Sequence, residues 1–143
     1  VSGFENATQT SVGYGLICHV TTTSQVMCSG FNNFGQSGVD PQTSQRVNPP
    51  NLLPLTNVIN VQAGLDSSCA LKSDGTVWCW GNNDEGQLGD GTYTPNHLPQ
   101  QVQGLSNVSQ ISLAQRGKHA CAIKDDGSLW CWGWNGFEQL GTK

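Results

Sequence analysis

Apolar and polar positions alternate along this chain in short runs, and the runs come in pairs. In CALKSDGTVWC, residues 69–79, strand-favouring residues flank Ser73, Asp74 and Gly75. Alternation with a period of two predicts a strand, and a three-residue break ending in glycine predicts a hairpin whose last loop residue is left-handed. The register then sets Cys69 opposite Cys79, Ala70 opposite Trp78, Leu71 opposite Val77 and Lys72 opposite Thr76. Successive side chains point to opposite faces of a strand, so Leu71 and Val77 share the cysteine face and Ala70, Trp78 and Trp80 share the other. Both faces are apolar, and an apolar sheet face has to be buried against another element.

The pattern occurs three times. CHVTTTSQVMCSGFN begins at Cys18, CALKSDGTVWCWGNN at Cys69 and CAIKDDGSLWCWGWN at Cys121, so the copies start 51 and then 52 residues apart. The match continues through GFNNFGQSG from Gly30, GNNDEGQLG from Gly81 and GWNGFEQLG from Gly133, while LTNVINV from Leu55 corresponds to LSNVSQI from Leu105. In the third copy Ile123 and Leu129 lie beside Cys121 and Cys131, with Ala122, Trp130 and Trp132 opposite. A period near 50 residues is that of propeller blades and related arrays. The expected fold is therefore all-β, about three β-propeller blades of about 51 residues each, over approximately residues 1–50, 51–102 and 103–143. Sheets stacked around an axis cover both faces of each blade. A β-sandwich of hairpins would not require the repeat.

The copies also disagree. Thr22, Thr23 and Ser24 stand where the second copy has Ser73, Asp74 and Gly75, which puts the glycine turn in question. Met27 and Ser29 replace Trp78 and Trp80, so that face of the first copy is predicted to be an exposed or differently covered end of the array. Glu138 replaces Gly86, and ISLAQRGKHAC carries two more residues than VQAGLDSSC; both changes read as surface loops.

Of 143 residues only 11% are charged, with six Lys and Arg against ten Asp and Glu. Nucleic-acid affinity rests on clustered Lys and Arg, so that partner class is excluded. No run of about 20 apolar residues exists for membrane insertion. The opening VSGFENATQT lacks the basic and apolar regions of a signal peptide, so any such leader is expected to be absent from this stretch.

The six cysteines could pair in fifteen ways, and the hairpin register selects Cys18–Cys28, Cys69–Cys79 and Cys121–Cys131. No C-x-x-C pair suggests redox chemistry or zinc, and none of His19, His97 or His119 recurs at a fixed place in the repeat. Disulfides imply an oxidising compartment, hence an extracellular protein, secreted or at the cell surface. Asn6-Ala7-Thr8 and Asn107-Val108-Ser109 are acceptor sequons for N-glycosylation.

Asp84, Glu85 and Asp90 cluster near glycines, but their spacing does not match a calcium loop. Asp74, Asp125 and Asp126 read as turn residues that cap their own backbone. His119 has neither acid partner nor nucleophile beside it and reads as a packed histidine. No nucleophile elbow, P-loop or catalytic carboxylate pair is present, so neither an enzyme nor a cofactor is expected. Phe31, Phe34, Trp134 and Phe137 fall in the loop after the hairpin, where the second copy has Asn82 and Glu85. Such side chains either form interface anchors or pack against the next blade.

The stretch VQAGLDSSCALKSDGTVWCWGNNDEGQLGDGT closely resembles the regulator-of-chromosome-condensation repeat, in a secreted, cysteine-bearing form, and the resemblance covers nearly the whole chain. Such proteins are β-propellers, usually of seven four-stranded blades, which three repeats cannot close. EQLGTK stops where GQLGDGTYTPNHLP continues in the second copy, so the stretch is expected to belong to a longer polypeptide or to an arc completed by other chains. The resemblance and the composition together imply a non-enzymatic module for interaction with other protein chains. Structural self-assembly is the first form of that reading, and a binder or inhibitor of a secreted protein through the blade loops is the second. The exchange-factor role for which the family is named fits poorly with disulfides and an acidic balance.

Overall fold

The computed structural model describes residues 4–141. Eleven strands form three antiparallel sheets, with no helix among the described residues. The first sheet orders β1 (Ala7–Val12), β2 (Leu16–Thr21), β3 (Val26–Phe31) and β4 (Arg46–Leu52) side by side. The second repeats this with β5 (Val58–Ala63), β6 (Ser67–Lys72), β7 (Val77–Gly81) and β8 (Asn96–Gln101). The third holds β9 (Val108–Leu113), β10 (His119–Lys124) and β11 (Leu129–Gly133). Three consecutive up-and-down sheets make an arc of propeller blades, and the all-β propeller class expected from the repeat is the fold observed.

The central hairpin of each blade has the register that alternation predicts. Cys69 faces Cys79, Ala70 faces Trp78 and Leu71 faces Val77 across β6 and β7, and the Lys72 backbone N–H donates to the Thr76 carbonyl at 2.9 Å. Gly75 takes φ +79°, the left-handed conformation a glycine adopts without strain. The first copy keeps the same turn without glycine. Ser24 occupies that position at φ 58°. Hydroxyl contacts between Thr21 and Thr23 at 2.9 Å, and from Thr23 to the Gln25 side chain at 3.1 Å, brace it. The cost of a left-handed non-glycine residue, on the order of 1 kcal/mol, is small enough for this local network to offset.

Each blade has two unlike faces, and the stacking is directional. The disulfide face of blade 1, built from Leu16, Cys18, Val20, Val26, Cys28, Leu53 and Leu55, packs on Val58, Val61, Ala63, Ala70 and Trp80 of blade 2. Blade 2 repeats the contact, setting Leu71, Val77, Leu88, Val102 and its own disulfide against Val108, Leu113, Ala120, Ala122 and Trp132 of blade 3. We call these the trailing and leading faces. Small alanines admit the opposing disulfide, and the indole fills the remaining depth; Trp80 is fully buried.

The first blade's leading face is covered differently from the others. His19 stands where blades 2 and 3 have Ala70 and Ala122, and is buried with Phe4 edge-on to its ring at 5.2 Å. Neither ring nitrogen has a hydrogen-bond partner, and burial holds its pKa below the usual histidine value. Ser29, in the tryptophan position, is half-buried and donates its hydroxyl to the Val47 carbonyl at 2.7 Å. That face is thus covered differently from its counterparts, as the replacement of the tryptophans by Met27 and Ser29 implied.

Candidate functional site

Strand direction divides the loops into two sets. Hairpin turns 22–25, 73–76 and 125–128 lie at the lower end of the blades, together with Asn6, Asn57 and Asn107, which precede the first strand of each blade. At the upper end lie loops 13–15, 64–66 and 114–118 and the longer loops that follow β3, β7 and β11.

The upper loops share one framework. Asn32, Asn83 and Asn135 each accept a backbone N–H five residues on, from Ser37, Leu88 and Leu140 at 3.0, 2.9 and 3.0 Å. Gln36, Gln87 and Gln139 reach back with their side-chain oxygens to the amides of Phe34, Glu85 and Phe137, all at 2.9 Å. The residue gripped by the glutamine is thereby held at the crest of the loop. Crest identity varies while the framework does not: Phe34 is 45% exposed, Glu85 is exposed and Phe137 is 82% exposed. Glu138 keeps the left-handed conformation of Gly86, at φ 57° against 73°, so the third loop has the same shape despite the substitution.

The same glutamines couple loop to stack. The Trp80 indole N–H of blade 2 donates to the Gln36 carbonyl at 2.9 Å, and Trp132 of blade 3 donates to the Gln87 carbonyl at 3.0 Å. The crests of blades 1 and 2 are therefore anchored by their own blade through the glutamine side chain and by the next blade through the glutamine backbone.

Two clefts lie along this upper surface. One, of about 300 Å³, is walled by Tyr14, Phe31 and Phe34 and floored by Leu65, Asp66 and Asn82. The other, of about 350 Å³, lies between Leu65, Glu85, Arg116 and Trp134. Both are also lined by Lys118, whose ammonium pairs with Asp84 at 2.7 Å. For Asp84, partial burial pushes toward the neutral acid, but hydrogen bonds from Lys118, Gln87 and Asn82 outweigh it and hold the carboxyl below its usual pKa. The bond to Asp84 correspondingly raises Lys118.

The four aromatic residues singled out in the sequence do not form one cluster. Phe31 and Phe34 line the first cleft, where Tyr14 stacks parallel to Phe31 at 6.4 Å and the Arg46 guanidinium lies 5.7 Å from the Phe31 ring centre. Trp134 lines the second cleft and meets Phe137 edge-on at 4.9 Å. Tyr14 and Lys118 were not readable as site residues, because Tyr14 meets Leu65 and Asp66 of the next blade and Lys118 pairs with Asp84 from 34 positions away. The two extra residues of the third copy supply part of the 114–118 loop, so a length difference between copies was the available signal.

All six cysteines are bonded as the register pairs them: Cys18–Cys28, Cys69–Cys79 and Cys121–Cys131. Asn6 and Asn107 are exposed and left-handed, at φ 61° and 55°, as is Asn57 at 58°. Asparagine recurs there because it tolerates that conformation. Asp74 and Asp126 cap their turns through Thr76 and Ser128 at 3.0 and 2.9 Å. Those hydrogen bonds hold both carboxyls below their usual range. Asp90 is spent on Thr92 and Asn83, and no group of three or more His, Cys, Asp or Glu able to hold a metal occurs among the described residues.

Comparison with known proteins agrees with this architecture. Two family models, both described as the regulator of chromosome condensation (RCC1) repeat, match residues 74–123 and residues 58–87 with 117–139. Bovine secretion-regulating guanine nucleotide exchange factor is 31% identical over 94% of this chain and 31% of its own length. The ultraviolet-B receptor UVR8 of Arabidopsis thaliana is 32% identical over 82% of this chain and 27% of its own. Yeast RCC1 (Prp20), solved in complex with Kap60, superposes with a TM-score of 0.86 at 23% identity, over 99% of this chain and 35% of that one. The ectodomain of the Physcomitrella patens receptor kinase CR4 gives 0.56 at 20% identity, over 89% of this chain and 32% of that one. The chain thus spans about a third or less of these relatives. With Asp-Gly turn, Trp-Gly and Gln-Leu-Gly signatures recurring in the second and third of its stacked propeller blades, the chain belongs to the regulator of chromosome condensation (RCC1) repeat family.

Proposed function

We propose that this chain is an extracellular, non-enzymatic protein-binding module that engages its partner through the crests of the upper loops. The observation that carries the reading is the exposure of Phe34 and Phe137 on a framework that fixes their backbones, beside two clefts of about 300 and 350 Å³. Aromatic side chains held rigid lose little entropy on binding and serve as anchors. Between the aromatic crests, Glu85 and the Asp84–Lys118 pair supply a charged centre that would set the orientation of the partner. This favours a binder acting through its loops over a purely structural role.

Three buried or half-buried disulfides support an oxidising compartment. Propellers of this shape also occur outside cells, as in the receptor-kinase ectodomain. The exposed sequon asparagines Asn6 and Asn107 lie at the lower end, so glycans there would leave the upper surface free. Exchange activity, named for the bovine relative, is not carried over, because the disulfides point away from a reducing cytosol.

The test places a photo-cross-linking residue at Phe137 and, as control, at Ile59, which is 53% exposed on β5. Each labelled chain is irradiated in native extracellular fluid of the source. A discrete protein adduct from position 137 alone, lost in the Phe34→Ser/Trp134→Ser background, is the expected result. Equal labelling from both positions would overturn the reading.

A further inference from the structure

The three blades share one backbone contact beneath the upper loops and surround it with different side chains. The amides of Phe31, Asn82 and Trp134 donate to the carbonyls of Gly15, Asp66 and Lys118 at 2.8, 2.9 and 2.8 Å. In blade 1 the Phe31 ring lies against Gly15, where an added Cβ would strike it. In blade 3 Lys118 reaches across to Asp84 at 2.7 Å. Blade 2 alone sets a carboxylate at this place, so the fold itself does not call for one.

Asp66 is 3% exposed, and its two oxygens are treated differently. Oδ2 accepts a side-chain N–H of Asn82 at 2.9 Å, whereas Oδ1 is buried with no hydrogen-bond partner among the described residues. A desolvated carboxylate oxygen left unpaired is costly, more so than a neutral acceptor. Asp66 forms part of the floor of the first cleft, of about 300 Å³, so a group that completes it can enter from solvent.

The rest of the cleft narrows the choice of that group. Tyr14 and Phe34 are 55% and 45% exposed, and with Phe31 they present aromatic surface to the space above Asp66. Aromatic faces attract cations, and Phe31 already draws the guanidinium of Arg46, which does not line the cleft, to 5.7 Å from its ring centre. Two carboxylates line the cleft, Asp66 and Asp84, against one ammonium, and that ammonium is spent on Asp84. One negative charge therefore remains uncompensated on the floor. The exposed Asn33 side chain, also lining the cleft, makes no hydrogen bond among the described residues and offers a second acceptor.

A volume at the lower end of the range for ligand sites suits one long side chain better than a whole small molecule. Arginine meets each requirement. Its planar guanidinium stacks on aromatic rings, its fork supplies N–H donors to Asp66 and Asn33, and its methylene stem covers apolar wall. We infer that this cleft is a pocket for an arginine side chain presented by a protein partner, with Tyr14, Phe31 and Phe34 around the guanidinium and Asp66 Oδ1 as its buried counter-charge. Asp84, by holding Lys118, keeps the chain's own cation from closing the pocket. The inference gives the partner of the upper surface a chemistry and so rests on the loop-binding reading.

The test titrates the intact, oxidised, isotope-labelled chain with the blocked peptide acetyl-Gly-Arg-Gly-amide and with its neutral isostere, in which citrulline replaces arginine. The arginine peptide is expected to move the amide resonances of Asp66, Ser67 and Asn82 with a dissociation constant on the order of millimolar, and to leave that of Gly75 at the lower end unmoved. Citrulline should bind at least roughly tenfold more weakly, and Asp66→Asn should weaken arginine binding by a similar factor. If amide dispersion shows that Asp66→Asn has lost the fold, Asp66→Gly, which installs the residue blade 1 has at this place, carries the same comparison. Equal shifts from both peptides, no shift from either, or undiminished arginine binding by a folded Asp66 variant would overturn the pocket. A lysine peptide that binds as tightly would overturn the choice of arginine. No partner is needed for these titrations, so they fail separately from the cross-linking at Phe137. An adduct there without arginine binding removes the pocket and keeps the loop-binding reading; arginine binding without an adduct removes the crests as anchors and keeps the pocket.

Discussion

Blades 2 and 3 carry nearly the same hairpin, CALKSDGTVWCWG and CAIKDDGSLWCWG, yet one is core and the other is surface. Cys69 and Cys79 are buried between two blades, while Cys121 and Cys131 are only half-buried. The difference lies in the neighbour and not in the hairpin. A propeller blade contributes one leading and one trailing face, and each is stabilised only when the complementary face is present. Equivalent residues therefore have unequal energetic weight, and substitutions at paired positions measure that inequality.

The largest contrast is expected at the tryptophans. Trp80→Ala removes a fully buried indole and its bond to Gln36, and should cost about 3–5 kcal/mol in urea unfolding. Trp132→Ala, at the equivalent but only half-buried indole that bonds Gln87, should cost less, about 2 kcal/mol. Similar losses at both sites would mean that the blades do not unfold as a stack with inequivalent ends.

A second contrast lies on the trailing faces. Leu71→Ala should destabilise by about 2–5 kcal/mol, because the cavity opens between two blades. Its counterpart Ile123→Ala should stay within about 1 kcal/mol, since that side chain is already partly hydrated. Supplying a matching blade to the trailing face of blade 3 should raise the cost of the second substitution toward that of the first.

The hairpin turns give a smaller and sharper comparison. Gly75 and Gly127 have nearly the same φ, +79° and +82°. A Cβ on Gly75 would come 3.0 Å from the Asn107 Cα of the next blade, whereas one on Gly127 meets nothing within 4 Å. Gly75→Ala should cost about 1–3 kcal/mol, and Gly127→Ala about 1 kcal/mol from backbone strain alone. Equal values from thermal melts would place the whole cost in the turn.

The smallest effect is expected where the two seams differ in chemistry. Between blades 1 and 2, the Gln9 side chain bonds the Val61 amide and carbonyl at 2.8 and 3.0 Å; between blades 2 and 3, Asp84 pairs with Lys118. Asp84 has a lowered folded pKa, so its contribution is present above the unfolded value of about 4 and is lost as pH falls through the lower folded value. Lys118 has a raised folded pKa, so its contribution is present below about 10.4 and is lost as pH rises through the higher folded value. Both side chains are partly exposed, and the pair should be worth less than about 1 kcal/mol and weaken with salt. Lys118→Met should flatten both limbs of the stability profile measured by denaturation from pH 2 to 11, and Gln9→Met should leave those limbs unchanged.

Much of the fold was legible because repetition supplies its own alignment. Cys69 opposite Cys79 followed from strand period and turn length, two local properties, and the left-handed turn followed from Gly75. Ser24 shows where that reasoning stops: a side-chain network from Thr21 to Gln25 keeps the same turn without the residue that announces it. The crest role of Phe34 and Phe137 was half legible, since their variation against Glu85 could be seen but the glutamine grip that exposes them could not. Tyr14, Asp84 and Lys118 reach the clefts only because neighbouring blades bring distant loops together.

By itself, then, the sequence determined the repeat, the hairpin register, the cysteine pairing and the two-sided apolar character of each blade, because all of these depend on residues within a few positions of one another. The tertiary structure decided which of those faces is covered, which loops converge on the upper surface, and that His19 and Ser29 give the first blade's leading face a covering unlike the others. Those outcomes depend on the relative placement of residues about 50 positions apart, and the period-two pattern of a single strand carries no information about which sheet will lie against it.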